Sequence, residues 1–166
     1  MQICQIVGHK NAGKTTVMNQ LIRHYSDERI RVGSLKHHGH GGEPDMTDGT
    51  DSQQHLESGS LMSGVQGEGM TQLTMTMPFE LDDLIQLYQM FTLDILLMEG
   101  FKQATYPKIV LLKNEEDLSL LHEVSTIIAV GTWDMNLLEN PEYPVFHMNN
   151  LQKDIHTIAS YIRRGI

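Results

Sequence analysis

Residues 8–15 read Gly-His-Lys-Asn-Ala-Gly-Lys-Thr, the full G-x-x-x-x-G-K-[ST] pattern of a phosphate loop. Few short patterns constrain a fold as tightly, because the loop works only between a strand and a helix. Residues 2–7 before it are apolar and β-branched, as a buried strand requires. Residues 15–25 after it place Val17, Leu21 and Ile22 at helical spacing. Strand, loop and helix N-terminus then aim successive backbone N–H groups at one point, where the helix dipole also favours an anion. Gly8 and Gly13 allow the backbone angles and close approach that a Cβ forbids. His9, Lys10, Asn11 and Ala12 supply the intervening backbone, with Lys10 reading equally as a solvated lysine. Lys14 is placed to reach the β- and γ-phosphates, and the Thr15 hydroxyl to ligate Mg²⁺. A chance match in a chain this long has a probability of roughly one per cent. The sequence therefore predicts a nucleoside triphosphate site.

At 166 residues the chain is read as one domain, residues 1–166, with 40% hydrophobic content and no apolar stretch near the length of a membrane span. The strand and loop begin at once, leaving no room for a signal peptide. Cys4 is the single cysteine and falls inside the first strand, which suits a buried, inert thiol and a cytoplasmic protein. Net charge is −9, with 12 basic against 21 acidic residues, so no basic stripe for nucleic acid is available. Such a surface suits a small anion held in one local basic pocket, or a protein partner.

Along the rest of the chain, residues 31–36 predict a second strand and residues 37–50 a long polar loop. Residues 51–58 predict a short helix with Asp51 as its N-cap. Residues 61–65 and 70–77 predict an antiparallel hairpin with one wet face, because Leu73, Met75 and Met77 alternate with Thr74 and Thr76. Leu81, Leu84, Ile85, Tyr88 and Phe91 mark an amphipathic helix. The continuous apolar runs at 93–98, 108–112 and 126–130 have the signature of parallel strands buried on both faces. A short strand at 145–146 and a helix carrying Leu151, Ile155, Ile158, Ala159 and Ile162 close the chain. This alternation predicts a three-layer α/β fold with a mainly parallel sheet and an antiparallel hairpin insertion.

Glu99 ends the run Asp94-Ile95-Leu96-Leu97-Met98. An apolar strand ending in an acid is the second signature of a triphosphate site, setting a carboxylate beside Mg²⁺ or its waters. Gly100 follows, where a backbone N–H is expected to approach a γ-phosphate. Lys36, His37, His38 and His40 form a dense cluster. A loop ordering around phosphates explains them better than a zinc site, since adjacent His37 and His38 point apart when extended. Asp45, Asp48 and Asp51 are spaced by three, and His55 shares a helix face with Asp51. Of these acids, Asp51 is the candidate metal ligand. The eleven methionines fall largely at core positions.

With these residues assembled, the chain resembles the molybdopterin-guanine dinucleotide biosynthesis protein B (MobB) family. The resemblance is carried by residues 8–16 (through Thr16), by Val32-Gly33-Ser34-Leu35-Lys36-His37 with His40, and by Asp51-Ser52-Gln53-Gln54-His55 with Gly59. It continues through Met98-Glu99-Gly100-Phe101-Lys102 and Pro107-Lys108, and so covers roughly residues 1–112. It implies a GTP-binding accessory protein with weak Mg²⁺-dependent GTPase activity, typically a homodimer. It also implies a role in attaching GMP to molybdopterin beside the guanylyltransferase MobA. In the dimerising branch of phosphate-loop proteins a lysine often follows the first loop glycine; here His9 stands there and Lys10 comes next.

Guanine is often read by Asn-Lys-x-Asp at a strand end, a tetrapeptide this chain lacks. Asp134, in Gly131-Thr132-Trp133-Asp134, has the chemistry to accept from the base, while Trp133 reads equally as packing. Two other functions use the same loop: a small-molecule kinase and a nucleotide-shaped interaction module. The five arginines, Arg23, Arg29, Arg31, Arg163 and Arg164, leave none between residues 32 and 162. A kinase lid usually supplies arginine to the moving phosphoryl group, so this spacing favours the accessory reading.

Overall fold

A computed structural model of the chain describes residues 1–38, Pro44 and 49–164. In chain order the elements are β1 (Gln2–Gly8), α1 (Lys14–Asp27), β2 (Val32–Lys36), α2 (Asp51–Glu57), β3 (Met62–Gln66), β4 (Thr71–Met75) and α3 (Leu81–Gln89). Then follow β5 (Ile95–Glu99), β6 (Lys108–Leu112), α4 (Leu120–Glu123), β7 (Ile127–Thr132), β8 (Val145–His147) and α5 (Leu151–Arg164). The apolar runs expected to be strands are strands. Short 3₁₀ turns at Glu115–Ser119, Met135–Leu137 and Met148–Asn150 were not legible as periodicity, nor was the four-residue α4.

Two compact units are present, Met1–Gly39 with Tyr88–Ile166, and His40–Leu87. The first holds a six-stranded sheet in the order β2-β5-β1-β6-β7-β8, with every neighbouring pair parallel. Strands β5 and β6 are buried at every position, their apolar runs ending in the buried Glu99 and beginning at the buried Lys108 respectively. Alternate side chains feed two separate cores, because successive Cβ atoms leave a strand on opposite faces. Cys4, Ile6, Ile109 and Leu111 pack with α1 and α5, whereas Val7, Val110, Leu112 and Val130 pack with Leu120 of α4 and with Val124 just after it. The result is the expected three-layer arrangement. Cys4 is fully enclosed, and burial pushes its thiol up to about 12, leaving it unreactive near neutrality. Tyr25 is also fully buried, and its hydroxyl donates to the Ala159 carbonyl at 3.1 Å, tying α1 to α5.

The second unit pairs β3 with β4 antiparallel, Met62 opposite Met75 and Gly64 opposite Leu73. Its apolar residues are wetter than alternation alone predicts: Met62, Val65 and Leu73 are 54%, 50% and 53% exposed. Helix α2 is capped by Thr50, whose hydroxyl accepts from the Gln53 N–H at 3.4 Å. This corrects the expectation for Asp51, which is the first helical residue instead; a β-branched hydroxyl one position earlier reaches the free N–H better. No helix among the described residues is long and apolar enough to cross a membrane.

At the strand edge where β2 and β5 begin, Asp94 accepts from Arg31 three times. The backbone N–H lies at 2.9 Å, Nε at 3.0 Å and Nη2 at 2.8 Å. These bonds hold the Asp94 carboxyl well below the usual carboxylate range. A carboxyl depressed in the folded state contributes stability above its unfolded pKa and loses it as pH falls toward the folded value. The stability deficit of Asp94→Asn is therefore expected to be constant above about pH 5 and to shrink progressively below about pH 4. Urea denaturation of both proteins across that range checks this.

Candidate functional site

The loop between β1 and α1 lies where the sheet's strands end. Gly13, at φ 102°, caps α1, and Asn11 also has positive φ at 62°. A Cβ at Gly13 would sit 2.7 Å from Met148 Cε, a side-chain end that can swing away, and 3.5 Å from Trp133 Cζ2, so it is the backbone angle that requires glycine. Ala12 is fully buried, and its carbonyl accepts from the indole Nε1–H of Trp133 at 3.0 Å. His9, Lys10, Asn11, Thr15 and Thr16 are exposed. Lys14 opens α1, and its ammonium turns back to donate to the carbonyls of Gly8 (2.9 Å) and His9 (2.7 Å). Burial lowers the Lys14 pKa and the Lys36 charge lowers it further, while Glu99 and Asp117 pull it up.

Glu99 is the last residue of β5 and is only 8% exposed. Its Oε2 accepts from the Thr15 hydroxyl at 3.1 Å, and its Oε1 lies 3.6 Å from Lys36 Nζ. Strand register brings this about, since Ile6 of β1 and Lys36 of β2 both pair with Glu99. Lys14, Thr15, Lys36 and Glu99, drawn from three segments, thus converge at one mouth. Two oxygens, a hydroxyl and a carboxylate, are hard donors of the kind Mg²⁺ takes.

Past Glu99 the chain turns sharply through Gly100 (φ 91°) and Phe101 (φ 54°). The Gly100 N–H donates to the Ile6 carbonyl at 3.0 Å. It is therefore committed to the sheet, and the expected approach to a phosphate is corrected. Glycine serves the turn instead: a Cβ would sit 3.2 Å from His37 Cβ. The His37 ring stacks on Phe101 at 4.9 Å between centroids. Gln5, fully buried in β1, donates to the carbonyls of Gly100 (3.1 Å) and Phe101 (2.6 Å). Lys108, equally buried, donates to the carbonyls of Ala104 and Tyr106, and burial lowers its pKa. This turn is held from beneath by two side chains aimed at backbone oxygens.

Other candidates stand elsewhere. Asp134 follows β7, and its Oδ1 accepts from Asn136 N and Nδ2, both at 2.9 Å, capping the 3₁₀ turn Met135–Leu137. Asp51 is exposed on α2 in the second unit, together with His55. His40, Asp45 and Asp48 lie outside the described residues; His37 and His38 are exposed. One contributor, Asp117, escaped the sequence reading, and a second, Trp133, was read there only as packing. Asp117, 5% exposed, accepts from the N–H groups of Lys113 (2.5 Å) and Asn114 (3.4 Å) and places Oδ1 3.9 Å from His9 Nε2. In sequence it is one acid of Glu-Glu-Asp, which looks solvated. Trp133 carried one usable signal: it is the single tryptophan and directly follows a central strand.

A parallel sheet with a glycine loop feeding a helix, and an acid ending the neighbouring strand, defines the phosphate-loop class of α/β proteins. The chain belongs to the family described as "Molybdopterin guanine dinucleotide synthesis protein B" (MobB), whose model matches residues 3–133. A protein of Bacillus subtilis (strain 168), named a probable molybdopterin-guanine dinucleotide biosynthesis adapter protein, is 41% identical over 149 residues, covering 89% of this chain and 86% of that one. The crystal structure of Bacillus subtilis MobB superposes with a TM-score of 0.82 at 36% identity, over 97% of this chain and 98% of that one. A MobB homologue from Bacillus stearothermophilus gives 0.79 at 34% identity, over 99% of both chains.

The clamp on the loop is open to a direct check. Trp133→Phe keeps a ring beside Gly13 but leaves the buried Ala12 carbonyl without its donor. Denaturation should show a loss of about 1–3 kcal/mol.

Proposed function

We propose that this protein is a Mg²⁺·GTP-binding accessory protein of molybdenum-cofactor biosynthesis, acting where GMP is attached to molybdopterin. The convergence of Lys14, Thr15, Lys36 and Glu99 is the observation that carries the nucleotide part of this reading. The pathway part is supported by the names of the relatives. Loop N–H groups from His9 to Thr16 and the start of α1 would receive the phosphates. Lys14 would exchange its two carbonyl partners for phosphate oxygens. Thr15 and Glu99 would hold Mg²⁺, the carboxylate directly or through water. Bound Mg²⁺ supplies charge neutralisation at the phosphates. Lys36, already beside Glu99, adds the second local cation. Asp134 would read the guanine base with its remaining oxygen. In this reading the protein works as a homodimer in the cytoplasm, beside a guanylyltransferase of the MobA kind.

The placement of the arginines favours slow hydrolysis over a kinase. Arg31 precedes β2 and pairs with Asp94, a full strand length from Lys36. Arg163 pairs with Glu28 just past the far end of α1, and Arg23, Arg29 and Arg164 lie near the same helix ends. Within one chain the topology thus keeps the arginines at the edge opposite the loop. Phosphoryl transfer gains 10³–10⁵ from an arginine on the transferring group, and a single chain has none to offer there.

Isolated protein should therefore turn over GTP at roughly 10⁻⁴ to 10⁻² s⁻¹. Steady-state assays across a dilution series test this; a concentration-independent rate above roughly 1 s⁻¹ would revive the kinase. Lys14→Ala should weaken triphosphate binding by at least ~tenfold, about 1.4 kcal/mol. Glu99→Gln should slow hydrolysis while leaving the fold intact. Calorimetry with GTP and ATP, with and without Mg²⁺, measures both the loop's role and the base preference.

A further inference from the structure

We propose that His24, Glu28 and His156 form a site for a divalent transition-metal ion of the zinc type, binding α1 to α5 at the end of the molecule away from the phosphate loop. His24 lies in the last turn of α1 and Glu28, four residues on, is the residue that caps that helix, while His156 comes from α5. His24 Nε2 lies 3.4 Å from Glu28 Oε1, and the His24 and His156 rings meet edge to face at 4.6 Å between centroids. One ligand atom from each residue falls within 4.8 Å of the other two. Around a tetrahedral zinc with bonds of about 2.0–2.2 Å, ligand atoms stand roughly 3.3–3.5 Å apart. The His24–Glu28 pair already has that spacing, and rotation of the exposed His156 side chain closes the other two edges.

The chemistry of the set selects the ion. Two imidazoles and one carboxylate suit zinc and its first-row neighbours, whereas Mg²⁺ prefers oxygen donors alone. Three protein ligands leave a fourth position for water. His24 is 9% exposed while Glu28 and His156 are open, so the ion has a solvent path to a partly enclosed seat. The carriers are rigid: Leu21, Tyr25, Ile155 and Ala159 pack the two helices together, and the Tyr25–Ala159 bond crosses between them. Arg163 donates to Glu28 Oε2 and so orients the carboxylate with Oε1 toward His24, the outer-shell support that metal ligands commonly receive. His24 is ten residues along α1 from Lys14, about 15 Å at helical rise. The site is therefore separate from the oxygen pair of Thr15 and Glu99 and independent of the nucleotide reading.

The test uses the full chain with Mg²⁺ in excess. Zn²⁺ titration calorimetry and thermal unfolding would be run on the wild type, on His156→Ala and Glu28→Gln, and on a His37→Ala/His38→Ala control. Cobalt absorption in the visible range reports the geometry directly. The expected result is one tight Zn²⁺ per chain, with a rise in melting temperature. His156→Ala and Glu28→Gln should each weaken binding by at least ~tenfold, a loss seen even for outer-shell partners, and abolish both the rise and the cobalt bands. The control should retain them. His156 is exposed, so its replacement leaves the core untouched, and Glu28→Gln is nearly isosteric. Affinity retained in both variants, no Zn²⁺-dependent rise in the wild type, or loss confined to the control would each overturn the proposal.

Discussion

The parallel register of β1, β5 and β2 is the constraint on which the site depends. Ile6, Glu99 and Lys36 stand side by side because the fully buried β5 pairs in one phase with β1 on one side and with the edge strand β2 on the other. That phase is enforced by burial on both faces of β5: Ile95 and Leu97 join Cys4 and Ile6 in the core beneath α1 and α5, and Leu96 and Met98 are fully buried on the opposite face. A slip of one residue would exchange every inward and outward side chain. Glu99 would then trade places with Met98, and the Thr15 hydroxyl would lose its carboxylate. The hydrophobic pattern that folds the sheet thus also fixes where the acid stands.

Electrostatics at the loop runs against the character of the whole chain. Net charge is −9, yet the mouth gathers two ammonium groups around one nearly buried carboxylate. Taking a lysine out of water is costly, and the depressed Lys14 pKa records it. The carbonyls of Gly8 and His9 offset part of that cost by accepting from the ammonium. An arriving phosphate replaces two neutral acceptors with charged ones, and charge-assisted bonds are roughly twice as strong as neutral ones. The loop is arranged so that an anion improves on the contacts it displaces.

Long apolar strands, the glycine loop and the acid at the end of β5 were legible in the sequence, because each is a local pattern with one structural solution. Asp117 was not, since its burial depends on how a 3₁₀ turn folds back toward His9, and no local pattern encodes that. Trp133 lies between these cases. Its position after β7 was visible, while its bond to Ala12 requires knowing that β7 ends beside a loop 121 residues earlier. Gly100 shows the opposite error: its location was anticipated, but its N–H continues the ladder to Ile6 instead of pointing outward. The cap of α2 moved by one residue, within the ordinary uncertainty of helix ends.

What the last third of the chain contributes follows from what it touches. Trp133 and Met148 flank Gly13, so the C-terminal side of the sheet supplies one wall of the phosphate loop. Helix α5 lies along α1, and the helix whose N-terminus faces the loop is thereby held along its length. A helix dipole can favour an anion only if the helix stays in place when the anion's charge pulls on its first turn. An isolated helix of 14 residues is marginal in water. Its stability here comes from the buried stripe of Val17, Met18, Leu21 and Tyr25, and the partners of that stripe include Ile155, Ile158 and Ile162. The amphipathic C-terminal helix is therefore part of the phosphate loop's mechanical support, because it keeps the amide donors preorganised.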